Sequence, residues 1–286
     1  AEEVPDTLLL AEAFWLMEGY FVRSLGMHRV YNSAFMNMLR DEQNQKYRDV
    51  IKHTIEFDPE ILKRYVNFMN NPDEEPAILQ FGSGDKYFGV CAMMSTLPGL
   101  PMFGHGQFEG YREKYGMEYR KSYWDEMDDE GLIYHHLNVI TPILKHRGIF
   151  SGAENFRLFD FYQEDGSVNE NVFAYSNHST AGKGLFIFNN SNHPASGVLL
   201  RSASWKDRTN EKLKNEVLSE GLLLEGSKAN YIIFSDVMTG EEFIRHSKDL
   251  SENGLHLVLD AYKCHVFLSV CEVRDTPDQK YRKICE

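Results

Sequence analysis

Residues 8–15 read LLLAEAFW, an apolar run interrupted near its middle by one carboxylate, Glu12. A run of this composition predicts a buried strand. An unpaired carboxylate is costly to bury, so Glu12 needs a chemical reason to be there. Downstream, strand-like and helix-like segments alternate. WLMEGYFVRSL (15–25) carries apolar residues at helical spacing, HRVYNSAFM (28–36) reads as a second strand, and a helix-period stretch runs from Leu39 to Thr54. Asp58-Pro59-Glu60 marks a further helix start, with Asp as cap and Pro in the first turn. RYVNFMN (64–70) is the third strand, NPDEEP opens a helical region running through KYFGVCAMMSTL, and LPGLPMFGHGQ (97–107) holds a short fourth strand. A last helix spans Asp129 to His146. Repeated strand–helix units of this length imply a parallel sheet or barrel.

The pattern changes near Gly148. From Phe156 to Val273 come short alternating runs such as FRLFDFY, NVFAYSN, GLFIFNN and CHVFLSV, separated by turn sequences such as EDGS, TAGK and SENG. They predict an antiparallel β domain, a sandwich. Thr209 to Gly221 reads as a charged helical insertion between strands. The fold class is therefore α/β followed by all-β, divided as 1–150 and 151–275, with a tail at 276–286.

The chain has 286 residues and a net charge of −13, from 43 acidic and 30 basic side chains. Nucleic acid and anionic membrane both require a basic face, so neither is an expected partner. No apolar run reaches bilayer length and nothing at the start resembles a signal peptide. The four cysteines show no CxxC spacing and read as reduced thiols, which predicts a cytoplasmic protein. The chain begins at Ala1, enters an apolar run almost at once and ends in KYRKICE. Both ends read as cut from a longer protein. No Asp/Glu set has EF-hand spacing, no His/Cys set has zinc spacing, and no glycine-rich phosphate loop occurs. Neither metal nor cofactor is expected.

Parallel α/β sheets and barrels gather their sites at the C-terminal ends of the strands. The polar residues fall there: Glu12 in the first strand, Asn32 and Ser33 in the second, Asn70, Asn71 and Asp73 after the third, and His105, Gln107 and Glu109 after the fourth. Two carboxylates in such a cleft suit acid–base work on a polar substrate. Plainer roles exist for each. Asp73 has the setting of a helix N-cap, Asn70 and Asn71 that of strand-end caps, Trp15 that of a core aromatic, and His105 that of a structural histidine. His135 and His136 read as surface residues of the last helix.

AEAFW, FMNNPDEE and LPGLPMFGHGQFEG resemble, in order and spacing, three regions of the α-amylase family of glycoside hydrolases and transglycosylases. In that family these regions end the fifth, seventh and eighth strands of a (β/α)8 barrel. The resemblance covers about residues 8 to 270, and NVFAYSNHSTAGKGLFIFNNSNHPASG is similar to the opening hairpin of the family's C-terminal sandwich. It implies the second half (strands 5–8) of a TIM-type barrel followed by an antiparallel β-sandwich. Glu12 would be the general acid/base and Asp73 the group that grips sugar hydroxyls and stabilises the transition state. Asn71, Trp15 and His105 are the further substrate-binding candidates, and an α-linked glucan or oligosaccharide is the implied partner. Pro72 stands where most of the family has His, which removes a donor to the sugar. The α-glucan maltosyltransferases have a similar Asn-x-Pro-Asp, so transfer is implied as readily as hydrolysis. FGHGQFEG also departs from the tyrosine pair of many members.

The family's nucleophile, an Asp preceded two residues earlier by an Arg, has no counterpart before Leu8. A retaining mechanism needs two carboxyl groups roughly 5 Å apart. The expectation is that Glu12, buried in an apolar wall where a carboxylic acid keeps its proton, is a proton donor without its nucleophile, and that the chain alone is inactive. The alternative is a non-catalytic, barrel-like module that binds glucan or protein. Half a barrel would expose unpaired strand edges, which predicts self-association.

Overall fold

The computed structural model describes residues 7–12, 18–114, 121–227 and 229–285. Four strands, β1 (Leu10–Ala11), β2 (Arg29–Tyr31), β3 (Tyr65–Phe68) and β4 (Leu100–Met102), form one parallel sheet in sequence order. The register pairs Leu10 with Arg29, Tyr31 with Val66, and Phe68 with Met102. Helices α1 (Glu18–Arg23), α2 (Ser33–Arg40), α3 (Asn44–Phe57), α4 (Ala77–Phe81) and α5 (Asp85–Thr96) fill the connections. The strands are shorter than the apolar runs that predict them. The run 28–36 breaks at Asn32, whose side-chain oxygen accepts the Phe35 N–H at 3.2 Å and starts α2. A short polar side chain that bonds the backbone locally ends a strand and opens a helix. Asp58 caps as its sequence context predicts, accepting the Glu60 N–H at 3.1 Å ahead of a 3-10 turn over Pro59–Arg64.

After β4 the chain enters α6 (Glu130–His135), capped by Asp129. It passes through a π-helical turn at His136–Ile140 into α7 (Thr141–Lys145) and α8 (Arg147–Phe150). The remaining strands are β5 (Arg157–Tyr162), β6 (Val172–Ser179), β7 (Gly182–Asn189), β8 (Ala195–Ser202), β9 (Trp205–Asp207), β10 (Lys212–Lys214), β11 (Asn230–Asp236), β12 (Glu242–His246), β13 (Leu255–Leu259) and β14 (Cys264–Arg274). Eight of them hydrogen-bond in the order β12-β11-β14-β7-β6-β5-β8-β13, so the expected pair of facing sheets is one continuous antiparallel sheet. Long β14 makes this continuity, pairing with β7 from Cys264 to Phe267 and with β11 from Phe267 to Arg274. The expected helix over 209–221 is largely the β9–β10 hairpin, with only Leu218–Gly221 helical. Asp207 sets that turn by accepting from the Thr209 N–H at 2.8 Å and the Thr209 hydroxyl at 2.6 Å, a local bond that outweighs helix propensity.

Alternation along the strands separates two cores. Val172, Ala174, Leu185 and Ile187 join Phe159 and Phe161 inside the curl of the eight-stranded sheet. Their neighbours Phe173, Tyr175, Phe186 and Phe188 face the other way, into the core shared with the parallel half. Contact there is close: a Cβ on Gly89 of α5 would lie 2.1 Å from the Phe188 ring. The fully buried Arg48 of α3 bridges the halves, with guanidinium nitrogens 2.5 Å from both Asp160 and Glu170 and 2.8 Å from the Val172 carbonyl. Asn44 and Asn190 add a reciprocal pair at 2.7 and 2.8 Å.

The far side of the parallel sheet is open. Among the described residues β1 pairs only with β2, and Leu8, Leu9 and Leu10 are 57%, 39% and 43% exposed. The prediction of a buried first strand fails because a strand needs neighbours on both sides to be buried. Among the described residues no helix is long and apolar enough to cross a membrane.

Candidate functional site

The site is built on strand ends. Tyr31 closes β2, half-buried, with its ring packed edge-on against Phe68 of β3 at 5.4 Å. Burial raises its phenol pKa first, and the negative charges of Glu12 and Asp73 raise it further. Such charge effects fade within about a Debye length, ~8–10 Å at ordinary salt. Glu12 follows β1, Tyr31 ends β2 and Asp73 lies in the turn after β3, so the three stand after successive strands at the C-terminal edge of the parallel sheet. The two carboxylates are 61 positions apart in the sequence, and the strands they follow, β1 and β3, are separated in the sheet by β2 alone.

Glu12 follows β1 and is exposed, which corrects the expectation of an apolar wall around it. Asp73 is exposed too, in a turn after β3. That turn is made by Asn71, whose side-chain oxygen accepts the N–H groups of Asp73 at 3.0 Å and Glu74 at 2.9 Å. The next helix, α4, starts only at Ala77 and has no side-chain cap. Asp73 is thus not an N-cap; Asn71 does the local bonding and leaves the Asp73 carboxylate uncommitted. Neither the Glu12 nor the Asp73 carboxylate forms a side-chain hydrogen bond or ion pair among the described residues. Asn71 itself is buried, with its oxygen already used. Asn32 is likewise spent on structure, donating to the Asn67 oxygen at 2.8 Å beneath the rim. Trp15 lies outside the described residues.

His105 is exposed in the loop after β4, its ring 6.1 Å from that of Tyr111. The loop is held from below. Gln107 is buried, accepts the Gly104 N–H at 3.0 Å, and turns its amide nitrogen to the Met69 sulfur at 3.4 Å. The Tyr87 hydroxyl donates to the Gln107 carbonyl at 2.9 Å and meets the His136 Nε2 at 2.9 Å. The sequence reading put His136 on the surface, yet it is fully buried and stacked on Phe108 with ring centres 4.3 Å apart. Burial pushes its pKa down to about 4, so it stays neutral at physiological pH. The signal was present: Leu132, His136 and Ile140 recur every fourth residue, one stripe of a helix. His135 is half-buried against Phe88, with ring centres 3.8 Å apart. Among the described residues, no three His, Cys, Asp or Glu side chains gather that could hold a metal ion. What the rim offers is two carboxylates, a phenol between them and a loop fixed from beneath.

No protein-family model matches the chain, and no curated protein matches it. Solved structures do. An α-amylase from H. orenii superposes with a TM-score of 0.57 at 16% identity, over 94% of this chain and 54% of that one. The α-amylase from Geobacillus thermoleovorans, in complex with acarbose, gives 0.58 at 13% identity over 95% and 54%. The cyclomaltodextrin glucanotransferase CldA, described as having a three-domain ABC distribution, gives 0.62 at 15% identity over 94% and 52%. At these identities the likeness is one of fold. The chain thus has the fold of about half of an α-amylase-family enzyme, a span that fits the C-terminal portion.

Proposed function

We propose that this chain is the acid/base-bearing portion of an α-glucan-processing glycosidase or transglycosylase. In this reading the parallel sheet supplies strands five to eight of a (β/α)8 barrel, and the curled sheet is the C-terminal β domain. The division falls near residue 150. One observation supports it: Glu12 and Asp73, which the family resemblance pairs across the reacting sugar, follow β1 and β3 at the C-terminal edge of one parallel sheet, on either side of the strand that ends at Tyr31.

Glu12 would protonate the glycosidic oxygen as the bond to the leaving group breaks. Asp73 would hold sugar hydroxyls and stabilise the positive charge that develops on the ring. The structural neighbour bound to acarbose supports an α-linked oligosaccharide as partner. The attacking carboxylate of a retaining enzyme must stand roughly 5 Å from the acid. No Arg-x-Asp precedes Leu8, so the nucleophile lies outside this chain and the chain alone does not turn over. Assays of α-glucan hydrolysis and transfer, on this chain and on the full-length protein, test the reading. Full-length protein should be active and Glu12→Gln should lower its kcat about 10²–10⁴-fold, the range of a general acid. Turnover by the 286-residue chain, or full activity after Glu12→Gln, would overturn it.

A further inference from the structure

The core inside the curl of the eight-stranded sheet stops short of its outermost strands. Between β12 and β13, the first and last strands of the hydrogen-bonding order, lies a cavity of about 270 Å³. Phe243 of β12 and Leu257 of β13 line it. Both are only partly buried against a core whose other members, such as Phe161 and Ile187, are wholly enclosed. Interiors pack with few voids larger than a water molecule, so apolar space of this size is open to an occupant. Its volume is close to the lower end of small-molecule sites, about 300–1,000 Å³, which suits a compact ligand.

The wall is aromatic and fixed. Phe267 of β14 meets three other rings that line the cavity, with centres 5.3 Å away for Phe234, 5.9 Å for Phe243 and 5.5 Å for His265. His265 is held from outside the cavity, its Nδ1 lying 2.8 Å from a carboxylate oxygen of Asp236. Asp236 is 2% exposed and also accepts the Val266 N–H at 2.9 Å, the Met238 N–H at 3.1 Å and the Thr239 hydroxyl at 2.9 Å. A carboxylate bonded this way is an acceptor only, so Nδ1 carries the proton and the ring is locked in place. Asp236 is thus committed to the wall and does not line the cavity.

Charge in the cavity runs against that of the molecule. The chain carries −13 overall, yet the lining holds two cations, Arg245 and Lys263, beside one carboxylate, Glu241. Arg245 stands two positions after Phe243 and shares its face of β12. Its guanidinium spends one N–H on the Ile244 carbonyl at 2.8 Å, and neither it nor Lys263 forms an ion pair among the described residues. The remaining fork of N–H groups matches a carboxylate, while Glu241 disfavours a second negative charge on the ligand. We propose that this cavity binds a compact organic monocarboxylate, its aryl or alkyl body against Phe234, Phe243 and Phe267 and its charged head on Arg245 with Lys263 beside it. The site lies on the other sheet from Glu12 and Asp73 and is independent of the α-glucan reading.

The test titrates the 286-residue chain calorimetrically with 3-phenylpropionate and with 3-phenylpropan-1-ol, a neutral analogue with the same body. Wild type should bind the acid about tenfold more tightly, the lower end for a hydrogen bond to a charged group. Arg245→Met keeps an aliphatic stem without the charge and should erase that preference. Leu257→Trp, which fills the cavity, should remove binding of both compounds. Chemical shifts of the Leu255 and Leu257 methyl groups in the wild type locate the ligand whether or not a variant folds, and both should move on titration. No binding of the acid at millimolar concentration, equal affinity for acid and alcohol, or a preference retained by folded Arg245→Met would each overturn the inference. So would shift changes confined to the exposed leucines of β1, which would place the ligand on the open edge instead.

Discussion

The two sheets of this molecule stand in opposite relation to water. The eight-stranded antiparallel sheet buries apolar residues on both faces, and its outer strands β12 and β13 curl round to line one cavity of about 270 Å³, with Phe243 and Arg245 on one side and Leu257 and Val258 on the other. The parallel sheet buries β3 completely but leaves the three leucines before and within β1 exposed. An antiparallel sheet closes with the strands that follow it in sequence, because hairpins are short. A parallel sheet that forms half a barrel gains its second edge only from strands further away. The carboxylate Glu12 follows that open edge, so the proposed proton donor stands where the sheet is least covered.

If the closed half supports the open one, the joint between them should carry the largest stability term. Arg48 is that joint. Arg48→Ala leaves the Asp160 and Glu170 carboxylates and the Val172 carbonyl without their buried cation. The expected cost is about 3–5 kcal/mol, the range for breaking a buried pair, read as a lower urea midpoint. Lys52, whose ammonium is 3.0 Å from Asp160, should hold the loss to the lower end. A loss within about 0.5 kcal/mol, the scale of an ordinary surface change, would mean that the apolar core alone joins the sheets.

His136 gives the next effect. Its pKa is about 4 when folded against 6.5 for an ordinary histidine. The folded pKa is depressed, so the contribution is complete above pH 6.5 and is lost as pH falls towards 4, where the unfolded chain binds a proton that the folded chain refuses. A difference of 2.5 units, from 6.5 minus 4, amounts to about 3 kcal/mol. His136→Phe should flatten the dependence of unfolding free energy on pH across that window. An unchanged slope would show that another group governs it.

These two residues also mark what sequence could and could not reveal. The strand at 64–70 and the Asp58-Pro59 cap and turn are local signals, and the structure keeps both. Glu12 follows β1 and Asp73 follows β3, and those strands lie in the parallel sheet that the alternation of strand and helix predicts. What failed was set by neighbours distant in sequence. Burial of residues 8–12 depended on a strand to pair with β1, and sandwich versus single sheet depended on which partners β14 chose. Arg48 carries no local signal of burial; its partners Asp160, Glu170 and Val172 all lie more than 100 positions further on. Two errors were local and avoidable: Asn32 as a helix cap inside an apolar run, and the Asp207 turn inside a charged stretch.

The open edge has its own test. An exposed leucine stretch beside unpaired backbone is a surface for pairing with a second copy. Sedimentation of the chain should show self-association, and Leu9→Ser with Leu10→Ser should reduce it while changing monomer stability by less than about 0.5 kcal/mol each, as exposed positions do. A monomeric wild type would mean that the edge is tolerated in water.

The smallest effect bears most directly on the site. If Glu12 and Asp73 face Tyr31 together, removing either charge must make the phenol easier to ionise. Glu12→Gln should lower the Tyr31 pKa towards the ordinary value of 10.0, and Asp73→Asn should do so by a lesser amount, following the order of their contributions. Added salt should shrink both shifts, since charge effects at a half-exposed rim are screened, whereas the part due to burial should remain. Tyrosine ring carbon chemical shifts, with Tyr31→Phe to assign the resonance, give the titration directly. A response to only one of the two substitutions would place the carboxylates apart, and the pairing on which acid–base chemistry depends would be lost with it.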